Sequence, residues 1–234
     1  MDVVAIARDL VLERHPDARA AFLGGSVLTE RRTAMSDLDV VVLLWGEPAP
    51  YRESFRSGGL PVEMFVHTEG TWGAFVGREV GAGRSPLLFM CADGELLFDV
   101  DGVGARIAAR AGELADAGPP GVAGDVIGDL RYAITDLLDD LAGSRDQDER
   151  LFIGTELVRR TGELALISER SWRGGGKWLA RRLEGAEPGL AGRLRWGLLE
   201  VLGGRDELLV GVVDEVLGAV GGRLWEGYRR GGTP

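Results

Sequence analysis

Apolar residues recur at Val3, Val4, Ile6, Ala7, Leu10 and Val11, the spacing of one helix face, and predict a helix over residues 2–14. The period then changes. Ala18–Leu23 is a short apolar run that ends in Gly24-Gly25-Ser26, the pattern of a strand running into a turn. A polar stretch containing Arg31 and Arg32 leads to a second apolar run, Asp37–Trp45, with the length of a buried strand, closed by Pro48 and Pro50. Residues Leu60–His67 alternate with period two: Val62, Met64 and Val66 share one face, Glu63 and Phe65 the other. Residues 68–80 then read as a helix, Leu87–Met90 and Glu95–Asp99 as short strands, and Val103–Leu114 as a helix.

After Ala117-Gly118-Pro119-Pro120-Gly121, the clearest linker in the chain, strand patterns stop. Asp125–Ala142, Asp148–Ser168, Lys177–Leu183, Leu190–Leu202 and Asp206–Val220 each carry a helical pattern and are separated by Gly or Pro. The predicted fold class is an α/β (α+β) N-terminal domain with a mixed β-sheet, residues 1–117, followed by an all-α helical bundle, residues 122–234.

Composition narrows the function classes. No apolar run approaches the ~20 residues that cross a bilayer, and the opening residues read as an amphipathic helix rather than a signal peptide. One cysteine, Cys91, excludes an internal disulfide and a multi-cysteine metal site. A cytoplasmic enzyme is the expectation. The net charge of −10 argues against broad nucleic-acid binding, which depends on neutralising phosphates. Of 27 basic residues a single one, Lys177, is a lysine, so its position after Gly174-Gly175-Gly176 makes it a candidate phosphate-binding charge as well as an ordinary helix-start residue.

The candidate chemistry lies between residues 22 and 66. Gly24 and Gly25 let the backbone turn sharply and approach a ligand closely. A helix starting just after them would offer free amides to an anion, with the Ser26 hydroxyl as a further donor. Asp37 and Asp39, two apart on a strand, project from one face. Paired carboxylates repel unless a cation lies between them, and hard oxygen ligands of this kind suit Mg²⁺ together with phosphate oxygens. Glu63, set between apolar neighbours, is a third acid that could ligate metal or accept a proton.

Leu23-Gly24-Gly25-Ser26, a gap of about ten residues, the triplet Asp37-Leu38-Asp39 and the later Val62-Glu63-Met64 together resemble the nucleotidyltransferase superfamily that includes DNA polymerase β and the aminoglycoside nucleotidyltransferases. The resemblance implies a catalytic domain over residues 1–117 and a helical domain closing over the substrate. It implies Mg²⁺ at Asp37 and Asp39, with Glu63 as third ligand or general base. Gly24, Gly25, Ser26 and Lys177 would meet the phosphates of ATP or another nucleoside triphosphate. The implied acceptor is a small hydroxylated molecule, aminoglycosides leading.

Other residues carry weaker patterns. Asp136, Asp139, Asp140, Glu156 and Glu163 could line a pocket for a cationic acceptor or form a solvated helix face. Trp172 and Trp178 read as packing residues. Two rival readings stay open: the same chemistry on a protein or RNA partner, as in toxin–antitoxin pairs, or a non-catalytic nucleotide sensor. A protein partner or a homodimer is compatible with both.

Overall fold

A computed structural model describes residues 2–231. The chain divides into two compact units, Met1–Pro119 and Pro120–Pro234. The first is built on a mixed five-stranded sheet; the second, among the described residues, is helical.

In the first unit the strands are β1 (Ala20–Gly24), β2 (Leu38–Leu43), β3 (Tyr51–Ser57), β4 (Leu60–His67) and β5 (Glu95–Asp99), in the order β3-β4-β2-β1-β5. β2 and β4 run parallel and the remaining neighbours antiparallel. Helix α1 (Val3–Arg14), capped by the Asp2 carboxylate, lays Val3, Ala7, Leu10 and Val11 on the face that carries Leu38, Val40, Val42, Val62, Met64 and Val66. Strand alternation turns Phe22, Val41 and Leu43 to the opposite face. Helices α3 (Pro86–Ala92) and α4 (Val103–Ala117) pack on that side, against β1 and its neighbours, and α2 (Glu69–Gly81) lies beside β4. Burial on both faces explains why β1 and β2 read as unbroken apolar runs, whereas β4 alternates.

Two elements depart from the pattern expected of the sequence. Leu87–Met90, expected as a strand, lies in α3, because the Ser85 hydroxyl caps the Leu88 amide and Pro86 supplies the fixed φ of a first helical position. Residues 51–57 form a strand that the apolar pattern alone does not announce. β3 is an edge strand with alternating half-buried and exposed residues, joined to β4 through Gly58-Gly59, whose φ angles of 55° and 85° fit a two-residue hairpin turn.

The α2–α3 junction holds a charge at some expense. Glu79 accepts a 2.8 Å hydrogen bond from the buried Ser85 hydroxyl, yet burial raises its pKa above the ordinary glutamate value, outweighing Ser85, the Leu87 amide, Arg84 and Arg78. A carboxylate whose folded pKa lies above the unfolded one favours the protonated folded state, so its contribution falls as pH rises through the folded value. Glu79→Gln, which keeps an acceptor for Ser85, is therefore expected to melt higher than wild type at about pH 7 and to lose that advantage near pH 4, as thermal denaturation would show. Nearby, burial pushes the Cys91 thiol up to about 12. The native thiol is expected to resist an aromatic disulfide reagent until denaturant opens the unit.

The second unit comprises α5 (Gly124–Gly143), α6 (Gln147–Ser168), α7 (Lys177–Ala186), α8 (Leu190–Leu202) and α9 (Glu207–Gly218). Helix α6 packs against the other four, contributing Leu157, Leu164, Ala165 and Leu166 to a core completed by Ile134, Leu141, Leu190, Leu194, Leu209 and Val213. The segment after α9 is tied back to α5: Arg131 donates to the Gly221 and Gly222 carbonyls, and Tyr132 stacks on Trp225 and Tyr228 at 5.4 and 4.0 Å.

Candidate functional site

The β1–β2 pairing sets Gly24 opposite Asp39, and the parallel β2–β4 pairing sets Asp39 opposite Glu63. Residues in register share a face, so the second acid of the triplet and the later glutamate project together from the sheet. Asp37 lies one residue before β2 begins, and its alternation with Leu38 sends it the same way. One carboxylate oxygen from each of Asp37, Asp39 and Glu63 lies within 4.8 Å of the others, and all three residues are half-buried.

Gly25 shapes this cluster. Its φ of 83° and ψ of −174° belong to a backbone region that side-chain-bearing residues avoid. A Cβ there would lie 2.2 Å from Asp39 Oδ2, so the turn leaves the space into which the Asp39 carboxylate packs. The next residues, Ser26–Leu28, form a three-residue 3₁₀ turn where the sequence suggested a helix start. Anion binding here would therefore depend on individual amides and hydroxyls, not on a helix dipole. Ser26 is buried, its hydroxyl 3.2 Å from that of Ser36, and its carbonyl accepts from Thr29. The loop to β2 is held by Ser36, whose hydroxyl accepts from the Thr33 amide; Arg31 and Arg32 stand exposed on it.

Glu63 already has a partner that sequence reasoning did not single out. Arg52, on β3, donates from one Nη nitrogen to both Glu63 carboxylate oxygens, at 2.6 and 2.7 Å. Its guanidinium also lies 4.8 Å from the Phe65 ring centre. The register explains both contacts: Arg52 faces Phe65, and Glu63 is two residues away on the same face. Recognising the Gly-Gly hairpin would have exposed this arginine.

The cluster offers oxygen donors only, all anionic, which matches a hard divalent cation better than a soft one. Mg²⁺ binds oxygen at roughly 2.0–2.1 Å, so oxygens within 4.8 Å of one another could share one ion after small side-chain rotations.

The residues named from the helical half belong to the second unit. Lys177 is exposed at the first position of α7, and the adjacent Trp178 is partly covered by the Arg181 and Arg182 guanidiniums. Trp172 is buried. Glu156 is held near a pKa of about 2 by hydrogen bonds from Arg159 and Arg160, and Glu163 pairs with Arg159 and Arg173. Those two acids are thus compensated within their own unit. Asp139 and Asp140 are exposed on α5. No helix among the described residues is long and apolar enough to cross a membrane.

No protein-family model matches the chain, and no curated protein matches it in sequence. Among solved structures, it is similar to a nucleotidyltransferase-like protein from Exiguobacterium sibiricum 255-15, with a TM-score of 0.44 and 12% identity over 93% of this chain and 75% of that one. A likeness this distant does not bear on what the chain does.

Proposed function

We propose that the chain is a Mg²⁺-dependent nucleotidyltransferase, moving AMP from ATP to a hydroxyl of a small, aminoglycoside-like acceptor and releasing pyrophosphate. The observation that supports this reading is the convergence of Asp37, Asp39 and Glu63 within 4.8 Å, beside the Gly25-Ser26 turn.

Asp37 and Asp39 would hold the cation, with Glu63 as a third ligand or as the proton acceptor. Bound there, Mg²⁺ would supply charge stabilisation to the oxygens entering and leaving phosphorus. The chain itself would position the reactants. The Gly25 turn would hold the Asp39 carboxylate in place, and the Ser26 hydroxyl could exchange its Ser36 contact for a phosphate oxygen. The acceptor oxygen bonds to the α-phosphorus as the bond from that phosphorus to the bridging oxygen breaks. Pyrophosphate leaves with the bridging oxygen, and the hydroxyl proton passes to Glu63 or to solvent.

Pyrophosphate release from ATP and Mg²⁺, measured with and without a panel of aminoglycosides, tests the proposal. Release that requires one acceptor is the expected result. ATP binding with Mg²⁺ but no release across the panel would shift the reading to a macromolecular acceptor or a nucleotide sensor. Absence of both binding and release would overturn it.

A further inference from the structure

We propose that Arg52 is the built-in counter-ion of the carboxylate cluster, a positioning residue that holds Glu63 and sets how tightly the cluster binds a divalent cation. This rests on reading Asp37, Asp39 and Glu63 as a cation site.

The geometry comes from the β3–β4 hairpin, in which β4 carries Glu63 and β3 carries Arg52. β3 is the outermost strand on its side of the sheet and contributes none of the three carboxylates. From it, Arg52 reaches diagonally across β4, lies over the Phe65 ring and clasps both oxygens of Glu63. The aromatic face fixes the plane of the guanidinium, and the two hydrogen bonds fix the carboxylate that receives it.

Charge gives the arrangement its consequence. Three carboxylates lie together, and Arg52 sets one positive charge against Glu63. Without Arg52 that positive charge no longer opposes the incoming cation, so binding tightens. Glu63 at the same time loses the contact that orients it, so turnover falls. A merely structural arginine would not produce these opposite changes. The Arg52 side chain is 57% exposed and that of Glu63 28%, a surface pair of the kind that contributes little to folding, so variants at this position are expected to fold.

The test is Mn²⁺ binding to the full-length chain, followed by the electron paramagnetic resonance signal of free Mn²⁺, in wild type, Arg52→Met, Arg52→Lys and Asp39→Asn. Arg52→Met is expected to bind on the order of tenfold tighter than wild type at low salt, with the gain shrinking as salt rises. Arg52→Lys keeps the charge but not the clasp. It is expected to bind Mn²⁺ within about twofold of wild type while its kcat still falls. Equal or weaker binding by Arg52→Met, in a background where wild type binds and Asp39→Asn does not, would overturn the role of Arg52 alone. No Mn²⁺ binding by wild type would overturn the cation site itself, and this inference with it.

Discussion

Asp39→Asn is expected to lower acceptor-dependent pyrophosphate release on the order of a thousandfold or more while leaving the protein folded. Asparagine matches aspartate in size and preserves the β2 backbone pairing with Gly24 and Glu63, so the sheet has no reason to change. What is lost is the central charge of a cluster whose members lie within 4.8 Å of one another. The neighbouring Asp37→Asn is expected to behave similarly in activity, with stability unchanged to within about 1 kcal/mol, because removing one of three like charges relieves repulsion. Steady-state kinetics and thermal denaturation on the same preparations check both halves. An Asp39→Asn enzyme that retained most of its turnover would show that the carboxylates are not where the chemistry occurs.

Gly25→Ala is the second large effect. The added Cβ would lie 2.2 Å from Asp39 Oδ2, and the residue would have to hold a φ of 83°. The backbone strain alone is worth about 1–3 kcal/mol. Displacing the Asp39 carboxylate by even about 1 Å is expected to cost on the order of a hundredfold in kcat. Gly59→Ala separates the two contributions. Its φ is 85°, but no atom lies within 4 Å of the added Cβ, so it should lose stability and keep its activity. If both variants lost activity equally, the fault would lie in general destabilisation and not in the fit between Gly25 and Asp39.

The cluster's carboxylates were legible because each sits on or beside a strand whose period is unambiguous. Glu63 alternates with the buried Val62 and Met64, and Asp39 with the buried Leu38 and Val40. Arg52 was not legible, for a physical reason. Its strand lies at the sheet edge, where half-buried Tyr51 and Phe55 are its only large apolar residues and Glu53 between them pairs with Arg14. An edge strand needs no continuous apolar run, and the information that it exists resides in the Gly58-Gly59 turn. The error at Leu87–Met90 is of the opposite kind: a short apolar run fits either element, and the neighbouring Ser85-Pro86 start decides for helix. The helices of the second unit were easier, since long amphipathic segments separated by Gly and Pro leave few alternatives, and the observed ends of α5 to α9 differ from the expected ones by at most three residues.

Soaking crystals of the protein with Mn²⁺ and a non-hydrolysable ATP analogue, and recording anomalous scattering at the manganese edge, asks whether Asp37 and Asp39 hold a metal beside a nucleotide, and needs no knowledge of the acceptor. A metal site built from these residues gives an anomalous peak bounded by the Asp37 and Asp39 carboxylates, with triphosphate density against the Gly25-Ser26 turn. Nucleotide bound elsewhere, or an anomalous map empty between these carboxylates at saturating Mn²⁺ and nucleotide, would contradict it.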